Sequence, residues 1–478
     1  MFCSRHLPLW AHRQSLGRKG RTPAGAAHPC SREPPRPRGL PNWDKICARE
    51  IPRSKAETLS PETGLFQHLV AESYTPESLS KIKEVLAECR CHQIIPVANG
   101  VFAASSSQVP NSVTGYQNVW VRDNVMIADS FRRRGELAPA VVCMQALTKF
   151  FGTQLPRFRE VIANPQLASR GDDNRRPHIR FAAQALSELP EKWTHAQNDA
   201  LGQALWFRFS LANTNVLPID VNDHEIYKVF PAYFAAIKYW QDPDSGAWEE
   251  GRKVNNSSVG AVVAGLEEMH RYHLVHKVAS PEAERLAQLI ARGRQHLDAT
   301  LPFESPPERL ADSALLSLLH PLDVVPSREM QDAILNLIQA RLKGHIGIKR
   351  YAGDSYFCQD YDEWFPPAKM TTAFTDNLVF RDAHLQPDCE AQWCIFDPLL
   401  SIIYGQRFLA DRSDRASLDK QVHYFNRSLS QITPAGECPE LYFLKRGRYI
   451  PNTHTPLAWA QANQALALYL MERSIGAT

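Results

Sequence analysis

From residue 60 onward apolar residues recur three and four positions apart in one segment after another, with few of the strict alternations that strands require. In 281 to 301, Leu286, Leu289, Ile290 and Leu297 share a face, and the start at Pro281 and Glu282 suits a helix N-terminus. In 257 to 275, Val259, Val262, Val263, Leu266 and Met269 do the same, with Ser257 or Ser258 as the expected cap. Further helices are predicted near 77 to 90, 123 to 134, 137 to 153, 197 to 212, 225 to 241, 312 to 319, 327 to 342, 392 to 410, 415 to 431 and 456 to 474. The short alternations at 346 to 352 and 441 to 450 read as hairpins or extended loops between helices. Helices joined alternately by short and long connections describe an all-α domain of stacked αα-hairpins over 59 to 478, with the long connections gathered at one end.

Residues 1 to 58 have a different character. They are rich in Arg, Pro, Gly and Ser, and in 1 to 40 eight Lys and Arg face one acid, Glu33. This stretch reads as a disordered basic extension. Its Arg-rich, acid-poor start is compatible with organellar targeting, although its prolines oppose an amphipathic helix and it has no apolar run of the secretory kind. With a net charge of +3 for the whole chain, the remainder is nearly neutral. Such a body has no electrostatic footprint for nucleic acid or an anionic membrane. No apolar run approaches the roughly 18 residues of a membrane span. The ten cysteines include no CxxC pair, so neither a zinc site nor a disulfide framework is indicated, and free thiols suit a reducing, cytoplasmic setting. No metal or other cofactor is expected.

Four clusters on the connections could carry chemistry. YQNVWVRDN, residues 116 to 124, holds Trp120, Arg122 and Asp123: a planar ring suits the face of a pyranose, and a carboxylate beside a guanidinium offers fixed acceptors to hydroxyls. An Asp cap opening a helix at 124 is the plainer reading of the same residues. WTHAQNDALG, residues 193 to 202, holds Trp193, Gln197 and Asp199 just before a helix, and KRYAGDSY, residues 349 to 356, offers Arg350 and Asp354 as a buried pair or as hydroxyl ligands. In GECPELYFLKRGRYIPNTHTPLAWAQA, residues 436 to 462, Glu440 follows Pro439, with Glu437 a nearby rival.

Between these lies SGAWEEGRKVNN, residues 245 to 256, where Glu249 and Glu250 follow Trp248. Adjacent side chains do not share one direction, so only one of the two can serve a given proton. Glycoside cleavage needs a protonated carboxyl at the leaving oxygen and a second carboxylate; for inversion the pair stand roughly 6.5 to 9.5 Å apart, leaving room for water. Glu440, distant in sequence, could face Glu249 across a central cavity. Asn255, Asn256 and Ser257 also form a glycosylation sequon beside the proposed acid, where a glycan would obstruct the cleft.

The W-x-R-D at Trp120 to Asp123, AQND at 196 to 199, WEE at 248 to 250, RYxxDSY at 350 to 356, and PELY with PNxxTPLAWAQA at 439 to 462 occur in the order of one family. From about residue 60 the chain resembles glycoside hydrolase family 15, the glucoamylase-like enzymes, and the related amino-terminal region of phosphorylase kinase regulatory subunits. The resemblance implies an (α/α)6 toroid and an inverting hydrolase that releases sugar from the non-reducing end of α-glucosides or malto-oligosaccharides. It implies Glu249 as general acid, expected to hold its proton in a dry setting, and Glu440 as general base. Glu250 is implied as a sugar ligand, Trp120, Arg122, Asp123 and Arg350 as ligands of the terminal glucose, and Trp193, Gln197, Asp199 and Trp248 complete the candidate substrate-binding set. WEEGRKVNNSSVG is closer to the kinase-subunit version, which implies the alternative of a non-catalytic glycan-binding or regulatory module.

Overall fold

The computed structural model describes residues 66–106, 115–169, 171–277, 280–371 and 374–476. The extension expected over 1 to 58 lies outside the described residues. Twelve helices carry the architecture: α1 Pro76–Glu88, α2 Val121–Arg133, α3 Leu137–Ala163, α4 Asn198–Asn213, α5 Val229–Ile237, α6 Asn256–Val275, α7 Ser280–Thr300, α8 Arg328–Leu342, α9 Phe374–His384, α10 Phe396–Ala410, α11 Arg415–Ser430 and α12 Ala458–Ile475. They form the all-α toroid of paired helices. The inner layer runs α2, α4, α6, the 3-10 segment Ser313–Leu318, α10 and α12, and α12 packs back on α2 to close the ring. Outside stand α1 against α12, α3 against α2, α5 beside α3, α7 against α6, α8 against the 3-10 segment and α11 against α10. The fourth inner position thus holds only six residues where its neighbours have a full helix.

Burial separates the layers. Every residue of α4 from Asn198 to Ala212 is buried, the pattern of a helix enclosed on all sides. α7 and α11 bury one face, with Leu286, Leu289 and Leu297 inward on the former as the periodicity predicts. Two glycines bring α4 and α6 unusually close: a Cβ on Gly202 would stand 2.5 Å from the Ala261 carbonyl carbon, and one on Gly265 would stand 2.6 Å from the Gly202 oxygen. No helix among the described residues is long and apolar enough to cross a membrane.

Several local expectations are corrected. α2 opens at Val121, so Asp123 lies in the first turn and does not cap it. α6 has Asn255 in the cap position without a side-chain cap bond; the Ser257 amide and hydroxyl donate instead to the buried carboxylate of Glu304. α3 continues through Pro156 to Ala163, ten residues beyond its expected end, because packing of Phe158 and Val161 outweighs the missing amide. The stretch 225 to 241 is divided, with a helix at Val221–Tyr227 followed by α5. Helix α9 has no counterpart among the predicted segments. Strands are confined to two antiparallel three-stranded sheets among the described residues: Val119–Trp120, Arg180–Ala182 and Ser187–Glu188 in one, and Gln392–Trp393, Leu441–Lys445 and Arg448–Pro451 in the other. The second contains the hairpin read at 441 to 450, whereas 346 to 352 contributes only isolated bridges, Ile348 to Lys343 and to Trp393 and Tyr351 to Asp312.

Candidate functional site

The connections that precede the N-termini of five inner helices come together. Trp120 precedes α2, Gln197 precedes α4, Glu249 lies on the approach to α6, Trp393 precedes α10 and Leu457 precedes α12. Trp120, Glu249, Trp393 and Leu457 line one cavity with about 630 Å³ of open space. Helix N-termini carry partial positive charge, and Asp123, Asp199 and Asp397 occupy first turns at that end.

Glu249 and Glu440 both line this cavity, together with Trp120, Arg122, Asp123, Trp193, Trp248 and Arg350. Glu249 has left-handed backbone geometry, φ 59° and ψ 41°, which a non-glycine residue adopts only where its surroundings impose it. Hydrogen bonds from the Glu249 amide to the Gly246 oxygen, 3.3 Å, and from the Glu250 amide to the Ser245 oxygen, 3.2 Å, hold the turn. The two adjacent carboxylates therefore part company.

The Glu249 carboxylate points at the cavity wall. Its Oε1 accepts from Trp120 Nε1 at 2.8 Å and Gln197 Nε2 at 3.1 Å, with Arg122 Nη2 at 3.5 Å. None of these bonds reaches Oε2. Arg122 Nη1 in turn donates to Gln197 Oε1 and Asp199 Oδ2, both at 2.9 Å. Gln197 and Asp199 are buried and absent from the cavity lining, so they orient Arg122 and Glu249 from behind.

Glu250 turns the other way and is also absent from the lining. Its Oε1 takes Arg350 at 3.1 Å and Arg381 at 3.3 Å; its Oε2 takes Arg309 at 3.1 Å and the Tyr351 hydroxyl. Burial opposes ionisation here, but Arg350, Arg309 and Arg381 together hold the carboxyl below its usual range. With both oxygens so occupied, Glu250 reaches the cavity through Arg350. Asp354 grips the same guanidinium by two bonds of 2.6 Å, so the pair read at 350 and 354 is formed. Four aromatic rings surround Arg350: Trp248, Tyr351, Tyr356 and Trp393. Trp248 is fixed by its Nε1 donating to Asp312 at 2.8 Å.

Glu440 follows Pro439 into a strand, and its carboxylate receives Tyr116 Oη at 2.7 Å on Oε1, and Asn452 Nδ2 and His454 Nδ1 on Oε2. The rival Glu437 does not line the cavity. Asp123 does; burial pushes its pKa from 3.8 to about 7 against the pull of Arg122, and Glu249 and Glu440 add to the rise. Asn255 of the sequon is buried, and its amide nitrogen donates to Asp244 Oδ1 at 2.8 Å, which removes it from modification in the folded chain.

Sequence reasoning singles out neither Tyr116, Asn452, His454 nor Trp459, although all four lie inside the motifs that carry the family resemblance or the clusters around them. Arg309 and Arg381 have no such signal: isolated basic residues become informative only when three guanidiniums meet one carboxylate.

Comparison with known proteins gives the family. The model of glycosyl hydrolases family 15 matches residues 89–364, a span that includes Glu249 and ends before Glu440. A probable phosphorylase b kinase regulatory subunit alpha of Caenorhabditis elegans is 24% identical over 334 residues, covering 62% of this chain and 25% of that protein. Its Drosophila melanogaster counterpart is 29% identical over 239 residues, covering 48% of this chain and 18% of that protein. The chain thus spans a quarter or less of the length of these relatives. Among solved structures, a wild-type glycosidase superposes with a TM-score of 0.61 at 18% identity, covering 84% of this chain and 99% of that one. The glucoamylase of Saccharomycopsis fibuligera does so with a TM-score of 0.55 at 13% identity, covering 88% and 99%. At these identities the structures speak for the fold alone, while the family model covers more than half the chain: the protein is a member of glycosyl hydrolases family 15.

Proposed function

We propose that the chain is an inverting glycoside hydrolase acting on the non-reducing end of α-glucosides or malto-oligosaccharides. The observation that carries this reading is that Glu249 and Glu440, 191 positions apart in sequence, line one aromatic-walled cavity. Glu249 gives its proton to the glycosidic oxygen from Oε2, the oxygen that its wall partners leave alone. Glu440, oriented on both oxygens, takes a proton from water attacking the opposite face of the sugar. Trp120, Trp193 and Trp248 offer apolar ring faces, and Arg122, Asp123 and Arg350 offer polar contacts to hydroxyls. Glu249→Gln and Glu440→Gln should each lower glucose release from a glucoside panel by at least about 1,000-fold while leaving the melting temperature near wild type. Wild-type turnover in either variant would overturn the assignment. Proton NMR of the first product should show the β anomer from an α-glucoside; the α anomer would reject inversion.

A second reading, a glycan-binding regulatory module without turnover, draws on the kinase regulatory subunits among its relatives. Calorimetry of the wild-type chain with malto-oligosaccharides separates the two: heat of binding with no glucose formed favours the module, and enzymatic release of glucose removes it.

A further inference from the structure

The PNTHTPLAWAQA motif contains one buried ionisable side chain that the two-carboxylate reaction leaves without a purpose. His454 is 1% exposed, does not line the cavity, and places Nδ1 at 2.9 Å from Oε2 of Glu440. We propose that His454 is a positioning residue for the general base, acting as a neutral imidazole that donates its Nδ1 proton to Glu440. This rests on the proposed role of Glu440 as that base.

The geometry is that of a clamp. The His454 ring stacks on the Tyr116 ring with centroids 3.6 Å apart and planes inclined by 8°. Tyr116 donates to Oε1 at 2.7 Å while His454 donates to Oε2, so two parallel rings fix both oxygens of one carboxylate. Phe357 meets the imidazole edge-on, with centroids 5.8 Å apart and planes inclined by 79°, and blocks rotation of the ring. Asn452 Nδ2 donates to the same Oε2, and the 3.3 Å between it and His454 Nδ1 is the spacing of two donors that share an acceptor.

The tautomer follows from what surrounds the other nitrogen. His454 Nε2 is buried with no hydrogen-bond partner. A proton there would bury an N–H without an acceptor. A proton on Nδ1 meets a carboxylate oxygen. An attacking water must lie on the line from Glu440 to the anomeric carbon, and a carboxylate free to rotate would lose that alignment in most of its rotamers. The hydrogen bond from His454 therefore acts on turnover more than on sugar binding.

Three substitutions separate the hydrogen bond from the packing. Asn places an amide nitrogen where Nδ1 stands, Gln places it nearer Nε2, and Phe keeps the stacked ring without a donor. On malto-oligosaccharides, His454→Phe and His454→Gln should each lose about 10- to 100-fold in kcat with KM within about 3-fold of wild type, and His454→Asn should recover most of the loss. Wild-type kcat in His454→Phe overturns the proposal, as does failure of His454→Asn to exceed His454→Phe. For variants that do not fold, nitrogen-15 NMR of labelled histidine in the wild-type chain reads the tautomer directly: protonated Nδ1 with bare Nε2 is expected, and the reverse overturns the proposal. A wild-type chain with no turnover on the panel overturns the hydrolase reading itself, and with it the catalytic purpose of His454. Full activity in His454→Phe beside an inactive Glu440→Gln overturns the role of His454 alone.

Discussion

Single residues hold the candidate site in place from behind as much as from within. Trp120 shows this: its ring lines the cavity while its Nε1 donates to Glu249. Trp120→Phe keeps much of the apolar face and removes the donor; hydrogen bonds to charged groups contribute about 1.5–3 kcal/mol, so kcat/KM should fall by about 10- to 100-fold in steady-state assays, with folding retained. Asp123 makes a different test possible. Because burial raises its pKa from 3.8 to about 7, the folded chain binds that proton more tightly than the unfolded chain. Its contribution to stability is complete below about pH 4 and is lost as pH rises to about 7. Asp123→Asn, neutral throughout, should flatten the fall in urea-unfolding stability across that window; an unchanged slope would refute the shift. Asp244, also pushed by burial to about 7, leaves part of the slope in place. Legibility at this scale is uneven. Trp120, Arg122, Asp123, Glu249 and Glu440 stand in recognisable motifs and converge on the cavity, whereas Gln197, Asp199 and Glu250, expected as sugar ligands, stand behind its wall. Residue type tells what a side chain can donate or accept; it does not tell which way a left-handed turn at Glu249 will throw its neighbour.

Among the elements, α4 and α6 matter most to the site, because the connections before them and their first turns carry Gln197, Asp199, Glu249 and Glu250. Their separation is set where Gly202 meets Ala261. A methyl group at 202 would meet backbone, which cannot rotate aside. Gly202→Ala should therefore cost about 1–3 kcal/mol or more in chemical denaturation and, by parting the helices, displace Gln197 from Glu249 and lower kcat. A variant as stable as wild type would show that the crossing is loose. Helix positions are readable from apolar spacing because burial of one face imposes a period near 3.6. The end of α3 and the existence of α9 are not. Pro156 reads locally as a stop and is overruled by packing, and α9 is held in part by polar bonds, Arg381 to Glu250 and Ser355 Oγ to Asp382 at 2.6 Å, which leave no periodic trace.

For the molecule as a whole, closure of the ring is the event that creates the cavity. α12, the last helix, packs on α2, and the connection before it supplies His454 and Leu457. A chain ended at Leu457 would leave the buried faces of α2 and α10 open to water. It should lose cooperative thermal unfolding and bind a hydrophobic dye, while a single sharp calorimetric transition like that of the full chain would refute dependence on closure.

Apolar spacing and short motifs are local properties that survive in one dimension, so the helical class, the paired-hairpin plan and the list of chemically able side chains can all be read along the chain. Which of those side chains meet depends on how the helices pack. Glu249 and Glu440 come to one cavity because the connections that precede α2, α6, α10 and α12 meet there, and Glu250 leaves it because a backbone turn and three guanidiniums, gathered from far along the chain, draw its charge the other way.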